Sequence, residues 1–388
     1  MINVVHGFSG VDAQYMAEKR VWNQNDINIV ATMEIDVDAI ITAGFIHYNE
    51  EMNRLIKNEW KDNLYDKARI ILKQKNIGYD FKTNRSSIDR MTKNRLKMLF
   101  YADVLTRNLG DISLIDKIPA NSDIDIFTYS FPCTNISLSG RQEGFKKGSG
   151  TSSSLLWECE KIIENNKPKV LLMENVKSLI NKKNKPLFKE WVKVLKDLGY
   201  NSYYKVINAK NYGIPQNRER VFMVSIRNDV TNKEFIFEEN YKEVQPINTI
   251  LETNVNKKHY LSEKVINRFH FVECTGNSDI KIIGTTAPSF RTIGQRDVCY
   301  DVTGIMGCIS ATDFKQPKQI VRLNTDGSYD LRKMTPREIW RLMDFDDKYF
   351  DRIDNIVSDS QLYKQAGNSI VVACLEDIFL GIKKQLFS

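Results

Sequence analysis

No long apolar run is visible in this sequence. The longest, such as Val170 to Met173 and Ile370 to Leu375, fall far short of the roughly 20 residues that span a bilayer, so no membrane association is expected. Residues Met1 to Gly7 carry neither a basic region nor a long apolar stretch, and no secretory signal is expected. The six cysteines are scattered without a Cys-x-x-Cys pair, which argues against both a zinc ribbon and a disulfide framework. No metal site is expected, and a reducing cytoplasm is the expected compartment. Histidine is scarce as well. The only four are His6, His47, His259 and His270, and none is close in sequence to Cys133, which argues against a protease-like Cys–His pair. There is no internal repeat and no low-complexity tract.

What is present is an ordinary globular composition: 388 residues, 42% apolar, 27% charged and 10% aromatic. That length predicts two or three domains with real cores. The net charge of +7 is only a weak pointer to a polyanionic partner, but its distribution says more. Between Arg54 and Arg107 there are 14 Lys/Arg against 6 Asp/Glu, a net of +8 that exceeds the surplus of the whole chain.

The pattern of elements points to an α/β protein. Ile2 to Val5 reads as a strand, Gly7-Phe8-Ser9-Gly10 as a turn, and Ile27 to Ala31 as a second strand running on to Glu34. From about Asp38 to Asn108 the period is helical, with Met52, Ile56, Trp60, Leu64 and Ala68 recurring every four residues. Strands then alternate with helices: Ile124 to Tyr129, Ser153 to Asn165, Val170 to Met173, Leu187 to Leu198, and Arg220 to Ser225. Such alternation predicts a doubly wound, mostly parallel sheet covered on both faces. Near Arg227 the texture changes to short β-like pieces, which predicts a second, smaller domain. Helical pattern returns at Thr335 to Met343 and Ser369 to Leu386. The expected division is 1–232 for the main domain with a basic helical insert at about 45–108, then 233–328, then a return to the first domain over 329–388.

Four features could carry chemistry. Ser130-Phe131-Pro132-Cys133 follows an apolar strand, which puts the sulfur on the carboxyl edge of a parallel sheet, where open α/β folds bind ligands. A buried structural cysteine is the alternative. Met173-Glu174-Asn175-Val176 sets a carboxylate at another strand end, either for acid–base work or as a helix N-cap. In Gln216-Asn217-Arg218-Glu219-Arg220, strand alternation would aim both guanidinium groups at one site, unless they form a solvated strip of ion pairs. Finally, Phe8-Ser9-Gly10 with Glu34 some two dozen residues on is the arrangement of a nucleoside-binding strand, turn and helix.

Taken in order, these residues resemble the DNA cytosine-5 methyltransferase family of prokaryotic or phage type. The resemblance rests on Phe8-Ser9-Gly10, Glu34 to Asp36, Gly110-Asp111-Ile112, Phe131-Pro132-Cys133 with Ser139 to Phe145, Glu174-Asn175-Val176, Tyr212 to Arg220, Arg332 to Glu338, and Gln365 to Ser369. It implies a Rossmann-like class I methyltransferase fold with a target-recognition domain. It also implies Cys133 as nucleophile, Glu174 and Arg220 as groups acting on the ring, and Arg218 among the cations that keep the thiol partly ionised. By the same resemblance Phe8, Gly10, Glu34, Asp111, Pro132 and Asn368 bind S-adenosyl-L-methionine. Ser139 and Arg141 sit in a loop that closes over double-stranded DNA, and base flipping is implied. Arg291, Gln295 and Arg296 are the side chains best suited to base edges in the second domain. A cognate restriction endonuclease is a partner such a protein can have.

The chain also departs from the family. His6 stands where an acidic residue is common, Asp12-Ala13 where a Gly-Gly pair is common, and Thr134 where Gln is common. The long interval from Glu34 to Asp111 requires an insert, expected to be a helical, basic module touching nucleic acid, with Lys93, Arg95 and Lys97 as its densest cluster. A solvated helical face that only stabilises the domain is the alternative. Two other functions stand beside DNA methylation: a tRNA cytosine-5 methyltransferase on the same fold, and a catalytically inactive DNA-binding relative.

Overall fold

A computed structural model describes all residues except 120–122, 137–143, 273–278, 289–292, 295 and 388. The chain divides into two compact units. The first comprises Met1–Ile207, Arg220–Glu239 and Leu375–Ser388; the second comprises Asn208–Glu219 and Asn240–Cys374. The second unit thus runs past 328, where a return to the first was expected, and only the last helix rejoins it.

The first unit is built on a six-stranded sheet in the order Ile27–Met33, Ile2–Gly7, Ile126–Tyr129, Val170–Val176, Glu219–Arg227, Tyr200–Asn208. The first four strands pair in parallel, while Glu219–Arg227 lies antiparallel to Val170–Val176. The chain moves from Ile2–Gly7 to Ile27–Met33 on one side, then crosses to Ile126–Tyr129 on the other. The ends of Ile2–Gly7 and Ile126–Tyr129 therefore flank a topological switch point, the place where open α/β sheets bind ligands.

Side-chain alternation gives each face its own partners. Val5, Phe127, Tyr129, Met173 and Met223 share a buried cluster with Ile162, Trp157 and Trp191, which places the helices Glu158–Asn166 and Lys185–Asp197 on that face. His6 points to the opposite face, where it meets Glu18 of the helix Ala13–Val21. The doubly wound expectation is met. Among the described residues one helical stretch, Asp359–Leu386, is long and apolar enough to span a bilayer by composition, but 83% of its apolar window is buried. It consists of two helices, Asp359–Asn368 and Val372–Leu386, as core helices often do.

Within the insert, the helices Asp62–Gln74 and Lys93–Leu105 bury Ala68, Leu72, Leu96, Leu99 and Ala102. Several of its cations are engaged inside the unit. Lys93 Nζ lies 2.6 Å from Asp62, Lys97 Nζ donates to the Asn58 carbonyl at 2.9 Å, and Arg95 pairs with Asp38 of the helix Val37–His47. Lys75 Nζ reaches both Asp103 and the Asn108 carbonyl at 2.6 Å. Gly110 (φ +84) passes so close to Lys75 that a Cβ there would lie 2.3 Å from the Lys75 carbonyl oxygen, so only glycine fits.

The second unit carries a five-stranded mixed sheet, His270–Phe271, Ile282–Thr285, Val298–Asp301, Gln319–Leu323 and Tyr329–Lys333 in that order. Its small core gathers Leu261, Cys299, Val321 and Leu331. These are the short β-like pieces expected after Arg227.

Candidate active site

Four adjacent strands deliver the site residues of the first unit to one edge. Met33 leads to Glu34, Gly7 to the Phe8–Gly10 turn, and Tyr129 to Pro132-Cys133. Glu174 lies one residue beyond the Met173–Tyr129 pairing.

The Pro-Cys loop is fixed through its backbone. Ser153, fully buried, donates from Oγ to the Pro132 carbonyl at 2.6 Å and accepts from the Asn135 amide at 3.1 Å, bracketing Cys133. The Cys133 carbonyl accepts from the Ile136 amide at 3.0 Å. Asn175 Nδ2 donates to the Phe131 carbonyl at 2.9 Å, tethering the loop to the strand that carries Glu174. The Cys133 side chain is half-buried and forms no disulfide. Its neighbours are thus immobilised while it retains access to solvent.

Glu174 and Arg220 meet because of strand register. Glu174 faces Phe222 across the antiparallel pair and Val176 faces Arg220, so Arg220 is the diagonal neighbour of Glu174 on the same face. Arg220 Nε lies 3.2 Å from Glu174 Oε1, and the two side chains are 16% and 11% exposed. A carboxylate and a guanidinium this close and this dry can act together on a polar ring edge.

Arg218 behaves differently. The alternation that would aim it with Arg220 is interrupted, because the strands Gln216–Asn217 and Glu219–Arg227 break at residue 218. Its buried guanidinium donates to the carbonyls of Ile309 at 3.0 Å, Gly367 at 3.1 Å and Ser369 at 2.7 Å, and to Cys308 Sγ at 3.5 Å. The expected catalytic Arg218 is therefore a clamp within the second unit. It holds the carbonyls on both sides of Asn368, which is exposed at the end of its helix. Gly367 beside it is obligatory, since a Cβ there would lie 2.3 Å from the Ser310 carbonyl carbon.

The remaining cofactor candidates form one hydrogen-bonded edge. Glu34 accepts from the amides of Gly10 at 2.9 Å, Ile35 at 2.8 Å and Asp36 at 2.7 Å. Asp111 accepts from the Ser113 amide at 2.9 Å and from Asn76 Nδ2 at 2.8 Å, so the insert helps to set it. Asn108, which the sequence did not single out, joins the two. Its Oδ1 accepts from the Glu34 and Gly110 amides at 2.9 and 3.1 Å, and its Nδ2 donates to the Glu34 carbonyl at 3.0 Å. Ser9, Gly10, Asp12, Thr32, Glu34 and Asn108 line a narrow cleft here. Phe8 and Pro132 are half-buried on the same edge. Ser139, Arg141, Arg291 and Gln295 lie outside the described residues. Arg296 is exposed, its carbonyl held by Gln316 and Gln319 at 2.8 and 3.0 Å. Among the described residues no cluster could hold a metal ion.

A family model described as C-5 cytosine-specific DNA methylase matches residues 85–384. The chain belongs to this family. It is 39% identical over 395 residues to the type II methyltransferase M2.ScrFI of Lactococcus lactis subsp. cremoris, with 100% of this chain and 99% of that protein covered. It is 30% identical over 389 residues to the orphan methyltransferase M.SssI of Spiroplasma monobiae, covering 97% and 96% of the two chains. The protein is thus a DNA (cytosine-5-)-methyltransferase, an enzyme that requires a methyl donor. In fold it is similar to the S. pombe Dnmt2 methyltransferase, with a TM-score of 0.63, 17% identity and 99% of each chain covered. A putative DNA modification methyltransferase encoded within a prophage of E. coli gives a TM-score of 0.59 at 16% identity over 100% of both chains. The mixed sheet with helices on both faces is the Rossmann-like class I methyltransferase fold.

Proposed function

We propose that this methyltransferase moves a methyl group from S-adenosyl-L-methionine to carbon 5 of a cytosine turned out of a specific duplex DNA sequence, with Cys133 as the nucleophile. The observation that carries the reading is the Glu174–Arg220 pair, 3.2 Å apart across two strands, with the Glu174 strand tethered through Asn175 to the loop that presents Cys133. The thiolate adds to carbon 6, forming a C–S bond while the C5–C6 double bond opens and electron density moves to carbon 5. Glu174 hydrogen-bonds or protonates ring N3 and Arg220 holds the carbonyl oxygen, both favouring that addition. When bound, the donor would supply the methyl group to carbon 5, its S–CH3 bond breaking to leave a neutral thioether. Carbon 5 then loses its proton to solvent, the C–S bond breaks, and the thiolate returns. A cytosine inside the stack is out of reach of such a loop, so the base must be extruded.

The donor residues suit a nucleoside bearing a methionine tail. Glu34 sits at a strand end with its carboxylate preset by three backbone amides, ready for ribose hydroxyls, and Phe8 and Gly10 form the adjoining turn. Asp111, Pro132 and Asn368 complete the donor set by family resemblance. The second unit reads the target sequence, with Arg291, Gln295 and Arg296 as the side chains suited to base edges, and Ser139 and Arg141 contact DNA.

The test is incubation with labelled S-adenosylmethionine and either duplex DNA or tRNA, followed by bisulfite mapping of the DNA. Label in DNA at carbon 5 of one recurring sequence is the expected result. Label in tRNA alone, or in neither, overturns the proposal.

A further inference from the structure

The turn between the first strand and the helix Ala13–Val21 is built from unusual backbone. Phe8 (φ 55), Gly10 (φ 57) and Asp12 (φ 62) all occupy the left-handed region, which glycine enters freely and a side chain resists. Asp12 stands where the family commonly has the first of two glycines. Something must therefore hold it in that conformation.

Two histidines grip this turn from different directions. His6, fully buried, places Nδ1 at 2.7 Å from Asp12 Oδ1 and Nε2 at 3.1 Å from Glu18 Oε1. Asp12 Oδ1 also accepts from the Tyr15 amide at 3.3 Å, capping the helix, and the Asp12 amide donates to the Ser9 carbonyl at 2.8 Å. His47 Nε2 donates to the carbonyl of Val11 at 3.1 Å, while its Nδ1 accepts from Lys19 Nζ at 3.1 Å. The two rings sit in opposite environments. His47 has an acceptor facing one nitrogen and a donor facing the other, the setting of a neutral imidazole, whereas His6 has a carboxylate facing each nitrogen, the setting of an imidazolium.

We propose that His6, Asp12 and Glu18 form a buried ion trio that replaces glycine in holding the Ser9–Ala13 turn in the left-handed shape needed to receive the methyl donor. They are positioning residues, and the inference rests on the reading that this turn binds S-adenosylmethionine. Its chemical logic is that a side chain at position 12 makes the conformation costly, and the same side chain supplies the ionic contact that compensates.

The test is a double-mutant cycle with two readouts: S-adenosylmethionine affinity by calorimetry, and backbone amide exchange over residues 9–16 in donor-free protein. His6→Asn in the native background should weaken the donor by about tenfold and speed exchange at residues 9–13, a coupling of ordinary size for neighbours in one network. In the Asp12→Gly background, where the backbone needs no lock, the same change should cost less than about threefold. Equal losses in both backgrounds would mark His6 as general scaffold and overturn the proposal, as would unchanged affinity and exchange in His6→Asn alone. Should His6→Asn fail to fold, the variant carrying His6→Leu, Asp12→Gly and Glu18→Leu replaces it. Donor binding by that folded protein supports the trio's role, and a folded protein that no longer binds contradicts it. Glu34→Ala separates the underlying reading: if it leaves donor affinity unchanged, the donor does not sit on this edge and the positioning role falls with that reading. If it weakens the donor, any failure in the cycle belongs to the trio alone.

Discussion

The donor turn and the Pro-Cys loop leave neighbouring strand ends, yet they are held by different physics. The turn is locked by ionisable side chains, with buried His6 between Asp12 and Glu18 and with half-buried Lys19 against His47. The loop is held by neutral contacts, with Ser153 and Asn175 bonded to its backbone. A charged lock responds to pH and a neutral one does not. The family model begins at residue 85, so the charged lock belongs to the part of the chain outside that match, whereas the neutral one lies within it. The turn keeps the family's Phe8-Ser9-Gly10 but departs from its pattern at His6 and Asp12-Ala13.

Substitutions can break this contrast, and the largest effect is expected at the loop. Cys133→Ser should abolish methyl transfer while donor affinity by calorimetry stays at the native value, because an alcohol cannot supply the thiolate. Next comes Glu174→Gln, expected to lower the single-turnover rate by roughly 10²–10⁴-fold, the scale of a positioned acid–base group. Ser153→Ala strands the Pro132 carbonyl and the Asn135 amide inside the protein. A loss of about 1–3 kcal/mol in denaturant stability is expected, with kcat falling more than KM changes. A stability equal to the native protein's would show that the loop holds its shape without this strut.

The subtlest effect sharpens the contrast through pH. Burial alone would lower the His6 pKa, but Asp12 and Glu18 outweigh it and raise it to about 10. The stability from this pairing is complete below the ordinary histidine value of 6.5 and drains away as pH rises toward 10. Burial and Lys19 press His47 down to about 3, against a smaller pull from Asp12. Its contribution is complete above pH 6.5 and is lost as pH falls toward 3. Melting temperature against pH should therefore fall on both sides of neutrality. His6→Asn should flatten the alkaline limb and His47→Gln the acid one, while Ser153→Ala lowers the curve without changing its shape.

Much of the candidate site was legible in the sequence. Cys133 and Glu174 follow short apolar strands, and apolar runs that end in a reactive side chain mark the carboxyl edge of such a sheet. Arg218 was misread because alternation assumes an unbroken strand, and the break at that residue leaves no mark in residue types. The edge strand Tyr200–Asn208 was also missed. Its burial is mixed on both faces, so it shows neither a continuous apolar run nor a clean period of two. Ser153 and Asn108 were invisible for a different reason. Their partners are backbone atoms, 18 to 21 residues away for Ser153 and 74 residues away for Asn108 with Glu34. Sequence pattern carries no signal for such bonds. The insert's positive charge was readable as a sum, but its pairing with Asp62, Asp38 and the Asn58 carbonyl was not.

The central claim is that Cys133 becomes covalently bonded to the cytosine ring during methyl transfer. Duplex DNA of mixed sequence carrying 5-fluorocytosine, incubated with the enzyme and S-adenosylmethionine, tests it directly, because fluorine at carbon 5 prevents the proton loss that frees the thiol. Mass spectrometry of the digested protein should find a methylated fluorocytosine adduct on the peptide containing Cys133, and no adduct in Cys133→Ser. An adduct on another residue, or methylated cytosine formed by an enzyme that the fluorinated duplex fails to trap, would contradict the account.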